Sequence, residues 1–201
     1  MKLLGLSGSP MTKSKTLLAV EKAVEYAQRD PDVSVSVINI RDYKVDFCRG
    51  RDDKDAYGVD TRFILDAICD TDALIVGTPI YRGSYTGILK NIFDMLPGDA
   101  LRGKPVGLIG TGGTDHHFLA VEHELKPLFG FFDALIVPGY AYAKNDDYSE
   151  DGIQSERVLE NLRQVAEAVV KLGRLVPREI VGASPPEIPR RVLGSEPALQ
   201  S

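Results

Sequence analysis

The sequence predicts an α/β domain in which a doubly wound, parallel β-sheet is covered by helices on both faces. Three observations lead there. Strand-like and helix-like segments alternate along the chain. Most of the strand-like ones are continuous apolar runs, as strands buried on both faces are. The loops that follow three of them are the chain's densest in Gly, Ser and Thr. With 201 residues the chain is long enough for one sizeable core. The expected division is a domain over 1–176 and a Pro-rich tail over 177–201, either disordered or an arm on a neighbouring subunit.

Each element has its own signal. Lys2–Leu6 is an apolar run that reads as a buried strand. From about Lys15 to Arg29, Leu17, Leu18, Ala19, Val20, Ala23, Val24 and Ala27 recur at helical intervals. Val33–Ile40 alternates strictly, which suits a strand near a sheet edge. "RFILDAICD" reads as a short helix and Ala73–Pro79 as an apolar strand stopped by proline. A helix over "SYTGILKNIFDMLP" follows, then a strand over "KPVGLIGTGG", a helix over "HHFLAVEHELKPLFGFF" and a strand over "ALIVPGYAYA". "SERVLENLRQVAEAVVKLGRLV" closes the domain as a long helix. Right-handed crossovers limit five such strands to a few doubly wound orders.

Composition excludes several classes. The chain is 43% hydrophobic and 26% charged, with a formal charge of −5, and no basic stripe offsets that acidity to favour nucleic acid. No apolar stretch approaches the roughly 18 residues of a membrane span, and "KLLGLSGSP" is too short for the apolar core of a signal peptide. Cys48 and Cys69 form no CxxC or metal-type pair, as expected of reduced thiols in a cytoplasmic protein.

In doubly wound sheets ligands bind beyond the carboxyl ends of the strands, where the strand order reverses. That selects the loops Ser7–Thr16, Thr78–Tyr85 and Thr111–Asp115. The first, "GSPMTKSKT", sits where a strand turns into a helix. A helix start leaves about four amides unpaired and carries partial positive charge, to which Ser9, Ser14 and Thr16 add hydroxyls. One hydroxyl suffices for an N-cap; several over ten residues point to a bound phosphate, with Gly8 allowing close approach. The GxxxxGK[ST] pattern fails because Lys13 falls where the second Gly belongs, and GxGxxG is absent. Ser7 stands where a phospho-receiver domain needs an acid. A mononucleotide remains.

"GSPMTKSKT" resembles the phosphate loop of the NADPH-dependent FMN reductases, a branch of the flavodoxin-like superfamily. "GTPIYRGSYTGILKNIFDMLP" and "ALRGKPVGLIGTGGTDHHFLAVEHELKPLF" resemble that family's other two loops and their helices. The likeness covers about residues 1–175 and is greatest toward reductases serving two-component alkanesulfonate and methanesulfonate monooxygenases. It implies a three-layer α/β/α sandwich with strand order 2-1-3-4-5, and hydride transfer from NADPH or NADH to N5 of FMN. It further implies a cytoplasmic homodimer or homotetramer, and a flavin-dependent monooxygenase as the receiver of reduced FMN. By position, Ser9, Ser14, Lys15 and Thr16 would hold the FMN phosphate. Thr78, Pro79, Ile80 and Tyr81 would line the ribityl chain and ring. Thr111, Gly112 and Gly113 would offer backbone N–H groups to the polar edge of the isoalloxazine. Met11 departs from an Arg common in the family, which would loosen FMN binding.

No catalytic residue is assigned, because such chemistry needs stacking and shielding rather than a protein acid or base. His116, His117 and His123 share a helix but lack zinc spacing, and "HELKP" carries Pro127 where HExxH needs its second His, so no metal is expected. By resemblance His123 marks a π-bulge at a tetramer interface; otherwise it is a surface histidine on an amphipathic helix. "RGRDDKDAYG" reads as a solvated loop, one that could admit the nicotinamide nucleotide if close to the site. Rival readings are an FMN-containing quinone, azo or metal-ion reductase, a flavodoxin-type carrier, and a non-flavin phosphate-binding module.

Overall fold

The computed structural model describes residues 1–50 and 54–176. Its elements are β1 (Lys2–Ser7), α1 (Lys15–Gln28), β2 (Ser34–Asn39), α2 (Val59–Asp70), β3 (Ala73–Pro79), α3 (Gly87–Asp94) and β4 (Pro105–Gly112). After these come α4 (Lys126–Phe131), β5 (Leu135–Ile136), β6 (Ala141–Lys144), β7 (Tyr148–Ser149), β8 (Gly152–Ile153) and α5 (Glu156–Leu175). The main sheet runs β2-β1-β3-β4-β5, with β6 also on β4, and every pairing in it is parallel. This is the order 2-1-3-4-5 of a flavodoxin-like sandwich. The expected tail, 177–201, lies outside the described residues, as do 51–53 of the Arg49–Gly58 run. Lys54–Ala56 of that run form a 3-10 turn.

Period-two alternation sorts the strands between two cores. Leu3, Ile75 and Ile109 face α1 and α5, against Ala19, Val20, Val165 and Val169. Leu4, Leu6, Leu74, Val76 and Leu108 face the other way, with Ile64, Leu89, Ile92 and Phe129. All seven residues of β3 are buried, which is why its sequence is a continuous apolar run. The alternating β2 is the sheet edge, and three of its six residues are exposed. A Cβ on Gly77 would lie 2.5 Å from Val20 Cγ2, so that glycine lets α1 settle against the sheet.

The chain departs from its periodic pattern in three places. The helix expected over "SYTGILKNIFDMLP" is shorter, because Ser84 pairs with Tyr81 and Thr86 caps the helix through Leu89 N–H. The helix expected over "HHFLAVEHELKPLFGFF" is broken into a 3-10 turn (Asp115–His117), a π-helix (Val121–Leu125) and α4. Pro127 has no N–H to bond back one turn to His123, and Lys126 N–H reaches the Val121 carbonyl instead. His123 therefore sits in a π turn, and its side chain is exposed. The strand expected over "ALIVPGYAYA" is two short ones, β5 and β6, parted at Pro138 and at Gly139, whose φ is 76°. The β7–β8 hairpin carries no periodic signal in the sequence.

Candidate active site

The parallel register brings Ser7, Pro79 and Gly112 to one edge of the sheet, and the loops beyond them enclose a cleft of about 260 Å³. Ten of the eleven residues expected to hold FMN line it: Ser9, Ser14, Lys15, Thr16, Pro79, Ile80, Tyr81, Thr111, Gly112 and Gly113.

Thr78 is the exception. It is fully buried; its hydroxyl donates to the Pro79 carbonyl (3.1 Å) and accepts from Thr86 N–H (3.2 Å). It holds the start of α3 rather than lining the cleft. Gly8 is also set by packing. A Cβ there would meet Leu89 Cβ at 2.8 Å, and its carbonyl accepts the Thr86 hydroxyl at 2.6 Å.

The first loop is braced from several sides. Ser14 is the N-cap of α1, its Oγ accepting Leu17 N–H at 3.0 Å. Ser9 Oγ accepts Met11 N–H at 3.3 Å, and the Thr16 and Thr111 hydroxyls meet at 2.7 Å. Arg41, just past β2, donates to the Pro10 carbonyl (3.1 Å) and the Thr12 hydroxyl (3.0 Å). The first amides of α1, Lys15 and Thr16, have no partner within the helix, and both residues line the cleft. The loop thus offers an anion amides, hydroxyls and a helix dipole together.

The opposite wall is formed by the loops that follow β3 and β4. Ile80 N–H bonds the Thr111 carbonyl at 2.7 Å, joining two loops. Tyr81 and Ser84 close a tight turn with Arg82 (φ 55°) and Gly83 (φ 84°) at its centre. Ser84 Oγ bonds Glu124 Oε2 at 3.2 Å, tying that turn to the π-helix. Gly112 lies under Tyr142: a Cβ would come within 2.1 Å of the phenolic oxygen, which itself donates to the Thr114 carbonyl at 2.6 Å.

Sequence reasoning missed a fourth side, made by Ala143, Asn145 and Tyr148 at and beyond the end of β6. Lys15 Nζ donates to the Asn145 carbonyl (3.3 Å) and Oδ1 (3.1 Å) and lies 5.3 Å from the centre of the Tyr148 ring. Tyr148 returns a bond to the Lys15 carbonyl at 3.0 Å. Burial, and secondarily the charge of Asp147, push the Tyr148 phenol well above its usual range, so it stays a neutral donor. The available signal was the strand-end rule itself, applied to β6 as to the others.

No Asp, Glu, His or Cys lines this cleft among the described residues, nor do three such side chains gather elsewhere among them. His116 Nδ1 pairs with the Thr114 hydroxyl at 3.2 Å. The donor set suits a phosphorylated flavin: anion-binding groups at one end, Pro79, Ile80, Tyr81 and glycine backbone at the other. At about 260 Å³ the cleft lies just below the roughly 300–1,000 Å³ of typical ligand sites.

Fold and cleft together define a flavodoxin-like, mononucleotide-binding protein. Residues 1–149 match the sequence profile of the NADPH-dependent FMN reductases. The chain is 39% identical over 174 residues to an NAD(P)H-dependent FAD/FMN reductase of Geobacillus thermodenitrificans, covering 86% of this chain and 93% of that one. It is 34% identical over 173 residues to an FMN reductase (NADPH) of Pseudomonas aeruginosa, covering 85% and 91%. It is also 34% identical over 165 residues to the NADH-dependent FMN reductase SfnF of Pseudomonas putida, covering 82% and 88%. Among solved structures, the apo form of an NADH:FMN oxidoreductase (EMOB) superposes with a TM-score of 0.71 at 28% identity, over 89% of this chain and 91% of that one. The chain belongs to the NADPH-dependent FMN reductase family and is an NAD(P)H:flavin oxidoreductase.

Proposed function

We propose that FMN is an exchangeable substrate of this enzyme, taken up with its phosphate in the Ser9–Thr16 loop and released, once reduced, to a flavin-dependent monooxygenase in the cytoplasm. When bound, FMN supplies the chemistry by accepting a hydride from the nicotinamide donor. The chain's own residues bind and orient. Ser9, Ser14, Lys15 and Thr16 anchor the phosphate, and Pro79, Ile80 and Tyr81 support the ribityl chain and ring. The backbone of Thr111, Gly112 and Gly113 offers donors to the ring's polar edge, and the wall they share with Tyr81 keeps water from one face.

The observation that carries this reading is the lack of a guanidinium in the cleft, whose lining among the described residues has Lys13 and Lys15 as its cations. Met11 stands where an Arg would grip the phosphate, and Lys15 already has Asn145 and Tyr148 as partners. A loosely held flavin can leave. A dimeric or tetrameric assembly is supported by Phe118 and Leu119, 44% and 47% exposed just before the π-helix that carries His123. The test is an anaerobic titration of flavin-stripped protein, with excess NADPH and then NADH, by stepwise addition of FMN. Oxidation of the donor through many equivalents of FMN is expected. Arrest after one equivalent per subunit would instead make FMN a fixed prosthetic group.

A further inference from the structure

The segment Ser9–Lys13 is the part of the phosphate loop that precedes the cap of α1. Among the described residues its backbone makes no hydrogen bond to other backbone. Pro10 has no N–H to give. The ladder of β1 ends before the segment, at Ser7, and α1 begins after it, at Lys15. The shape of these five residues therefore rests on side-chain bonds. Ser9 supplies a short one to Met11 N–H. Among the described residues, the two that tie the segment to the rest of the fold both come from Arg41, across 31 and 29 residues.

Arg41 is placed for this by the sheet. β1 and β2 pair with Ser7 opposite Asn39, so Arg41 leaves its strand at the level of Ser9. Fully buried Ile40 anchors the 3-10 turn, Ile40–Asp42, that carries it. Its Nε donates to the Pro10 carbonyl at 3.1 Å and its Nη2 to the Thr12 hydroxyl at 3.0 Å, so the guanidinium spans the residue between them, Met11. Met11 lines the FMN cleft and Arg41 does not. We propose that Arg41 is a positioning residue, which grips the loop from outside the cleft and sets the shape in which Ser9–Thr16 receive the flavin phosphate. A loop held before its ligand arrives loses less freedom on binding. The planar fork of an arginine, with several N–H groups in fixed geometry, suits a grip on two acceptors at once. In a chain with Met11 at the tip of the loop, this preorganisation takes the place of a direct guanidinium–phosphate bond. The proposal rests on the reading that the Ser9–Thr16 loop holds the flavin phosphate.

The test measures FMN and riboflavin binding, and steady-state reduction of FMN, in the full chain carrying Arg41→Met or Arg41→Lys. The Arg41 side chain is 37% exposed and its contact with Asp42, at 3.7 Å, is a surface pair, so either variant should melt near the wild type. Arg41→Met is expected to raise the Kd and KM for FMN about tenfold, with kcat, the KM for NADPH and the affinity for riboflavin unchanged. Arg41→Lys keeps the charge without the fork and should stay within about threefold of Arg41→Met. Unchanged FMN affinity in Arg41→Met overturns the proposal. So does equal weakening of FMN and riboflavin, which would make Arg41 a general support of the fold. Full recovery in Arg41→Lys would assign the effect to charge alone and overturn it as well. A wild type that binds riboflavin as tightly as FMN would remove the phosphate-loop reading itself, a failure seen before any variant is measured.

Discussion

On the α1 side of the cleft two serines are engaged close to home, Ser14 capping Leu17 three residues on and Ser9 holding Met11 two residues on, although Thr16 also meets Thr111 across 95 residues. On the β4–β6 side the wall depends on distant partners. Tyr142 bonds Thr114 across 28 residues, Lys15 reaches Asn145 across 130, and Tyr148 bonds Lys15 across 133. The Ser9 and Ser14 contacts of the first wall are local ones that any helix start can approximate. The second exists only when the sheet has assembled. Damage to the first should therefore be confined to ligand binding and one cap, while damage to the second should reach the fold.

The largest effect is expected at Gly112→Ala. The new Cβ would overlap the Tyr142 hydroxyl, and overpacking of this kind costs about 1–3 kcal/mol, read as a lowered melting temperature. Adding Tyr142→Phe removes the overlapping oxygen and should recover part of the loss. A double variant no more stable than Gly112→Ala would place the strain elsewhere.

Ser14 separates capping from ligand binding. Ser14→Ala should lower stability by about 1 kcal/mol through the lost cap and weaken FMN about tenfold, the worth of one strong hydrogen bond. Ser14→Asp keeps a capping oxygen but sets a negative charge beside the phosphate. It should melt near the wild type and yet bind FMN worse than Ser14→Ala does. Calorimetry paired with fluorescence titration reads both.

Lys15→Met should do less. Its ammonium is exposed and already shared with Asn145 and Tyr148, so FMN affinity should fall only about threefold, with a shallower dependence on salt. A loss beyond tenfold would make Lys15 the main phosphate ligand.

The smallest effect is confined to alkaline pH. The Tyr148 phenol titrates above the ordinary 10.0 in the folded chain. Past that pH the unfolded chain releases a proton that the folded chain keeps, so stability falls as pH rises. Tyr148→Phe should flatten part of that slope. Tyr85, Tyr140 and Tyr142, also raised by burial, and Lys144, raised by its bond to Asp115, should contribute to the remainder.

What could be read from the sequence follows the same division. Continuous apolar runs place β1 and β3, alternation places β2 and helical repeats place α1 and α5, each within a residue or two, because burial on known faces dictates those patterns. The first loop was legible because its hydroxyls crowd into ten residues. Illegible were the features decided by long-range pairing or by one local exception to a period. Pro127 and Pro138 interrupt patterns that otherwise look continuous. Asn145 and Tyr148 become cleft residues only because β6 pairs with β4, and Thr78 resembles its neighbours in sequence while its hydroxyl is engaged by Thr86. Gly112, expected to offer its backbone to the ring, is also required by the ring of Tyr142.

The most direct test of the Ser9–Thr16 loop as the phosphate seat is the affinity of FMN against that of riboflavin, which lacks the phosphate, measured on the wild type and on Ser14→Asp. FMN should bind the wild type more than about tenfold tighter than riboflavin, and Ser14→Asp should close most of that gap while leaving riboflavin unaffected. Equal affinities in the wild type, or a gap that Ser14→Asp leaves intact, would contradict it.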